Sequence, residues 1–179
     1  MSRATVAVAL VAVLAVAVVA VVGGASSNDS ETGSTVTTSE GQGAFDAARR
    51  ELDLATYSKK FLIRALSSKS GYGYSKAEAT YAVNHVGADW KSEAVELAKY
   101  RLDSPLGESK KGFITLLAHA GFSKAEATYA INHVGPDWNA EAVERAEAVG
   151  RAKKSELIQE LADAGFTDAQ VRWAVEKAH

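Results

Sequence analysis

The chain contains two copies of one polar triplet, and these are the residues whose types and spacing could take part in chemistry. Tyr81, Asn84 and His85 lie in SKAEATYAVNHVGADW, and SKAEATYAINHVGPDW repeats the triplet forty-eight residues later, at Tyr129, Asn132 and His133. An imidazole can bind a metal, transfer a proton or cap a helix. Each of these histidines lacks a Cys or paired carboxylates at ligand spacing. We therefore predict no catalytic residue, no metal and no cofactor.

A third copy of the surrounding pattern changes the triplet to Trp173, Glu176 and Lys177. Only this copy lacks a following Gly-x-Asp-Trp motif, which favours a structural role for Asn-His: ring stacking near the Trp, or an N–H that caps a carbonyl at the helix end. The alternative is an exposed patch that binds a protein, for which Tyr and Trp are good anchors. The candidate partner-binding residues are then Tyr81, Asn84, His85, Trp90, Tyr129, Asn132, His133, Trp138 and Trp173.

Short helices must position these side chains. Each repeat unit opens with an amphipathic segment, SKKFLIRAL at 58–66, SKKGFITLL at 109–117 and KKSELIQEL at 153–161. A corner of Gly, an aromatic residue and Ser or Thr follows, in which Gly can end one helix and the hydroxyl can cap the next. The second helix buries a face of small residues, and a third helix starts at Asp-Trp with Asp as its cap.

The predicted fold is all-α, built from tandem three-helix, helix-turn-helix-like repeats in two and a half copies. Repeat 1 covers 46–103, repeat 2 covers 104–150, and a truncated repeat 3 covers 151–179, so the chain should form a small stacked array. On the second helix the predicted buried face is Ala79, Ala82, Val83 and Val86, then Ala127, Ala130, Ile131 and Val134, then Val171, Ala174, Val175 and Ala178.

The amino-terminal segment has a membrane character. Residues 4–22 are apolar except for Thr5, and a helix of that length rises about 28 Å, close to the thickness of a bilayer core. Residues 1–25 are therefore a transmembrane anchor or, because Gly23-Gly24-Ala25 fits a cleavage pattern, a signal peptide. Arg3 before the run favours export of the rest. The Gly/Ser/Thr-rich residues 26–45 are expected to form a disordered linker.

Composition narrows the function classes. The chain has no Cys, which excludes a disulfide scaffold, a thiolate zinc site and the Cys of a lipid anchor. The net charge of −2 gives no basic field for nucleic acid. Paired lysines at 59–60, 110–111 and 153–154 are interpreted as parts of solvated helix faces.

Over residues 57 to 179 the motifs S-K-K-x-x-I/L-x-x-L and G-F-S-K-A-E-A-x-Y-A-[VI]-N-H-V-x-x-D-W resemble the host cell surface-exposed lipoprotein family, called Ltp. The resemblance implies a non-enzymatic superinfection-exclusion protein of a prophage, held on the outer face of the membrane. Such a protein blocks phage DNA entry by binding a tape-measure or other injection-machinery protein. Because the lipid-bearing Cys is absent, an apolar anchor would replace the lipid, or the protein would be secreted after cleavage.

Two other functions stay open. A generic bacterial envelope or adhesion module of helical repeats fits the same corner and short helices, which are also similar to ubiquitin-associated domains. A DNA-binding helix-turn-helix protein fits the corner, but the Ala-rich second helix lacks the Arg, Asn and Gln side chains that read bases. The expected partner is a protein, with the membrane contacted through the apolar segment.

Overall fold

The computed structural model describes residues 38–104, 106–150 and 152–178, and within these ranges the chain is helical throughout, without strands. This confirms the all-α prediction. The apolar run and most of the linker lie outside the described residues. Within the described ranges, no helix has both the length and the apolar character needed to cross a bilayer. The helices are α1 Thr38–Leu54, α2 Lys59–Ser67, α3 Lys76–His85, α4 Trp90–Leu102, α5 Lys110–His119, α6 Lys124–Val134, α7 Trp138–Val149, α8 Lys154–Asp163 and α9 Asp168–Ala178.

The predicted helix starts are confirmed. The Ser75 hydroxyl accepts from the Glu78 N–H, and the Glu78 carboxylate accepts from the Ser75 N–H at 2.7 Å, which completes a capping box. Ser123 repeats this box at α6. Asp89 accepts two backbone N–H groups at the start of α4. These caps place the second helix of each copy, and with it the Tyr-Asn-His triplet, in a fixed register.

The corner before each second helix depends on glycine. Gly121 and Gly165 have φ of 86° and 90°, in the left-handed region that a side chain disfavours. The aromatic residue that follows is buried in both cases, as Phe122 and Phe166. The corner therefore reverses the chain and inserts a ring into the core.

The small-residue faces lie inward, as the spacing predicts. Ala79, Ala82 and Val83 are buried on α3, and the equivalent residues of α6 and α9 are buried as well. Small side chains allow adjacent helix backbones to approach closely. Three residues depart from the prediction: Ala178 is exposed in the last turn of α9, and Val86 and Val134, at the ends of α3 and α6, are only partly buried.

The helices group into trios in a frame that differs from the predicted one. Helix α1 packs on α3, α4 on α6 and α7 on α9, with α5 and α8 packed between the members of the later trios. The Asp-Trp helix is therefore the first helix of a trio and not the last helix of the preceding one. By contact density, residues 38–55 and 62–88 form one compact unit, while 56–61 and the described residues from 89 onward form a second.

Helix α1 begins inside the segment 26–45 that composition assigns to the linker. Its Ala44, Ala47 and Ala48 are completely buried, and α1 packs on α3. Glycine at position 43 leaves room for the Tyr74 ring, because a Cβ there would lie 3.0 Å from the Tyr74 hydroxyl oxygen. Burial of the alanine face outweighs the weak helix propensity of a Gly-rich sequence.

A repeated joint connects successive copies within the second unit. The Ser109 hydroxyl, at the start of α5, donates to the Ala164 carbonyl at 2.6 Å and accepts from the Gly112 N–H. A Cβ at Gly165, the next residue, would lie 3.1 Å from this hydroxyl. One copy earlier, Ser58 caps α2 and lies against Gly121 in the same manner. The opening serine of one copy therefore docks on the glycine corner of the next.

A carboxylate reinforces each joint. Glu141 of α7 accepts the Glu108 N–H at 2.9 Å, and Glu93 of α4 accepts the Tyr57 N–H at 3.1 Å. Burial raises the pKa of both glutamates above the ordinary 4.5, although the hydrogen bond from the backbone opposes the shift. The folded state therefore holds these protons more tightly than the unfolded state does.

The joint predicts a pH dependence of stability. A raised folded pKa stabilises the fold fully below about pH 4.5, and this contribution is lost as the pH rises through the folded value. We expect Glu141→Gln to remove its share, because the amide oxygen still accepts the Glu108 N–H but does not titrate. Urea unfolding of both proteins between pH 4.5 and 7.5 should give a steeper loss of stability with pH for the parent chain.

The capping carboxylates act in a different window, which provides the control. The hydrogen bonds of Ser75 lower the pKa of Glu78, and those of Ser92 lower the pKa of Asp89. Their contribution to the stability of the fold is present above their ordinary pKa and is lost as the pH falls through their pKa in the folded state. Glu78→Gln should therefore alter the profile only in the acid range. Parallel profiles for Glu141→Gln and the parent chain above pH 4.5 would contradict the assignment.

Candidate protein-binding surface

The structure places the polar triplets on the outer faces of α3 and α6. We call Tyr81, Asn84 and His85 the first patch, and Tyr129, Asn132 and His133 the second patch. All six side chains are exposed, with Tyr81 at 52 % and Tyr129 at 42 %. This exposure follows from the helical period, because the buried alanines occupy the opposite face. Two large aromatic rings are therefore presented to solvent at equivalent positions.

Each histidine is held against its own tyrosine. The rings of Tyr81 and His85 stack with centroids 4.1 Å apart, and those of Tyr129 and His133 stack at 5.6 Å. His85 Nδ1 lies 2.7 Å from the Tyr81 carbonyl oxygen, which is the geometry of the capping alternative. The contact joins residues one turn apart on one helix, and it pre-orders the first patch.

Two lysines border the second patch. Lys91 of α4 places its ammonium group 5.1 Å from the centre of the Tyr129 ring, within the range of a cation–π interaction. Lys110 of α5 donates to the Asn132 side-chain oxygen at 3.4 Å. The patch therefore combines an aromatic ring, an amide and an imidazole with two ammonium groups from neighbouring helices.

The third copy carries a related but different surface. Trp173 is 46 % exposed, and Lys177 lies 5.0 Å from its ring centre. Beside it, a groove of about 690 Å³ opens between α8 and α9, over Ile158, Val171 and Val175. Glu176 lines this groove and places a carboxylate where the second patch has Asn132.

The two remaining candidates lie at helix starts and are partly buried. Trp138 packs on the core of the α4–α6 trio, with its ring edge-on to Phe113 at 6.1 Å. Trp90 holds the same position at the start of α4. The predicted stacking of His on Trp is therefore wrong in the second patch, where the ring partner of His133 is Tyr129. Trp138 closes a core and contributes little to an outer surface.

Sequence reasoning missed the lysines and the joint. The charge pattern predicts a solvated face for Lys110, and Lys91 follows an Asp-Trp pair that the repeat pattern places in the preceding unit. Their contacts with the second patch follow only from the packing of α4 and α5 on α6. The sequence signal for the joint is the serine at the start of 58–66 and of 109–117, which also fits a simple helix cap. The structure shows a second role, because Ser109 is only 1 % exposed and a cap alone does not require a buried hydroxyl.

The chemistry available at this surface is recognition. Within the described ranges, no group of three or more His, Asp or Glu side chains is arranged to hold a metal ion. The Tyr, Asn and His groups offer hydrogen bonds and ring contacts to a partner. The predictions of a non-enzymatic chain without a cofactor stay predictions.

Comparison with known proteins gives a match to one stretch of the chain. The family described as host cell surface-exposed lipoprotein matches residues 40–86. No curated protein and no solved structure matches the chain. The matched residues coincide with the trio α1–α3. Residues 40–86 of this chain, which carry the first patch, are thus similar to the host cell surface-exposed lipoprotein family.

Proposed function

We propose that the chain is a membrane-tethered, non-enzymatic protein-binding module that excludes superinfecting phage by blocking DNA entry. The partner is a phage tape-measure or other injection-machinery protein, met on the outer face of the membrane. The observation that carries the proposal is the pairing of a family match at 40–86 with an exposed aromatic patch on the matched residues. The description of the family supports the surface location.

Duplication of the patch supports binding to a protein rather than catalysis. The two triplets are identical in residue type and lie on equivalent helix faces. Two weak sites that share the same triplet can give one chain a higher overall affinity for a partner that engages both. Exposed tyrosines give large contact areas at a low entropic cost, as interface anchors require.

The proposed tether is the apolar run at 4–22. Without a Cys, the chain cannot carry the thioether-linked lipid of the family description, so a retained helix is the proposed anchor. The experiment is to express the full-length chain in a phage-sensitive host and to score adsorption and DNA entry separately. Normal adsorption with blocked entry supports the proposal. Unblocked entry across a broad phage panel overturns it.

The patches provide a sharper prediction. Replacing Tyr81 and Tyr129 together with Ser should abolish phage exclusion while leaving the melting temperature nearly unchanged. Both rings are exposed, and Ser and Tyr have similar helix propensities. Plaque counts and thermal unfolding of the same variant measure the two effects.

Ile158→Ser is the matched control, because Ile158 is also 42 % exposed and lies on a helix outside both patches. It should retain exclusion. Full exclusion by the double tyrosine variant, or an equal loss with Ile158→Ser, would show that the patches are not the binding surface.

A further inference from the structure

We infer that the second patch binds an acidic polypeptide segment, whose carboxylates pair with Lys91 and Lys110 around the Tyr129 ring. This inference rests on the proposed protein-binding function and specifies the chemistry of the partner. It is carried by the lysines that neighbouring helices bring to the patch.

Both ammonium groups are free to receive a carboxylate. Among the described side chains, neither Lys91 nor Lys110 forms an ion pair; their contacts are the Tyr129 ring and the Asn132 amide oxygen. Each is a weak contact that an anion can join or replace. His133 adds two ring nitrogens on the same side of α6.

Two acidic groups on the helices that form the patch are engaged in helix caps. The Glu126 carboxylate, on the same helix, accepts the Ser123 N–H at 2.7 Å in the capping box. The Asp89 carboxylate accepts two backbone N–H groups and the Ser92 hydroxyl at the start of α4. Both carboxylates are turned toward donors of their own helices, so the groups that the patch offers for pairing with a partner are the two ammonium groups, and a complementary partner is negative.

The third copy provides an internal contrast. Lys154 begins α8 as Lys110 begins α5, but the residue facing it across the groove is Glu176 where the second patch has Asn132. A carboxylate at that position repels an acidic partner. The chain therefore contains one copy of the same helix pair that fits an acidic segment and another copy that does not.

The test uses the purified full-length chain in detergent and a fluorescein-labelled Ala-based helical peptide with Glu at i, i+4 spacing. Peptides with Gln or Lys at the same positions are the controls, and fluorescence anisotropy reports binding. We expect binding of the Glu peptide only, weakening as salt is raised. K91E and K110E should each weaken it about fivefold, which corresponds to one exposed charge pair lost and reversed.

K154E is the matched control, because it makes the same charge change at the first residue of the equivalent helix. It should leave binding unchanged, and a carboxylate in the first turn favours the helix in all three variants. Four results overturn the inference: no binding of the Glu peptide, equal binding of the Gln peptide, equal effects of K110E and K154E, or tighter binding of duplex DNA than of the Glu peptide.

Phage infection separates this inference from the function on which it rests. If K91E and K110E exclude phage as well as the parent chain does, the acidic partner is wrong and the proposed function stands. If the parent chain does not exclude phage, the proposed function is wrong, while the peptide measurement still decides the chemistry of the patch.

Discussion

Gly107→Ala is expected to lower the free energy of unfolding by about 3 kcal/mol, the sum of a left-handed backbone penalty and a steric clash. Gly107 has φ of 59° and lies directly against α7. A Cβ there would collide with the Arg145 backbone nitrogen and the Glu141 carbonyl oxygen. Since both are helix backbone atoms, they cannot move aside as a flexible side chain could. Urea unfolding monitored by circular dichroism measures the loss.

Gly87→Ala separates the two terms. Gly87 has φ of 78°, also in the left-handed region, but a Cβ there meets no described atom within 4 Å apart from its own chain neighbours. Its substitution should cost only the backbone penalty, about 1 kcal/mol. If both variants lose the same stability, the close approach of the 106–109 segment to α7 is not a feature of the folded protein in solution.

Ser109→Ala is expected to cost about 2.5 kcal/mol, because it removes a helix cap and leaves a buried carbonyl without its donor. The hydroxyl is the donor to Ala164 at 2.6 Å and the acceptor for the Gly112 N–H at 2.9 Å. Burial of the site prevents water from replacing either bond. Thermal and urea unfolding of the variant should both show the loss.

Ser123→Ala removes a cap of the same type from an exposed site. The Ser123 hydroxyl accepts one backbone N–H at 3.3 Å in contact with solvent. Its loss should cost about 1 kcal/mol, the usual value for an N-cap. Equal losses for Ser109→Ala and Ser123→Ala would mean that Ser109 acts as a cap only and does not join successive copies.

Local features could be predicted from the sequence because their causes are local. Ser75 with Glu78 predicts a capping box, and Gly121 before Phe122 predicts a left-handed turn; the structure contains both. The inward faces of α3 and α6 follow from the helical period. Nothing in these signals extends beyond about four residues, so they determine where a helix begins and which side it buries.

The partner of each buried face could not be predicted in this way. Ala94, Val95 and Ala98 are buried, but the helical period does not say that they pack against α6 instead of an earlier helix. The contact of Lys91 with the Tyr129 ring could not be predicted either, because it depends on the packing of α4 on α6. Helix α1 was missed for a related reason: its alanines gain their stability from packing on α3, which the composition of 26–45 does not reveal.

The serine–glycine joint has a consequence for how such chains change length over time. Ser109 and Gly121 belong to the same copy. Ser109 forms a joint with Gly165 of the following copy, and Gly121 forms a joint with Ser58 of the preceding copy. An in-frame tandem duplication of about forty-eight residues therefore adds both halves at once. The gene can gain a repeat unit in a single event, with no new interface to evolve.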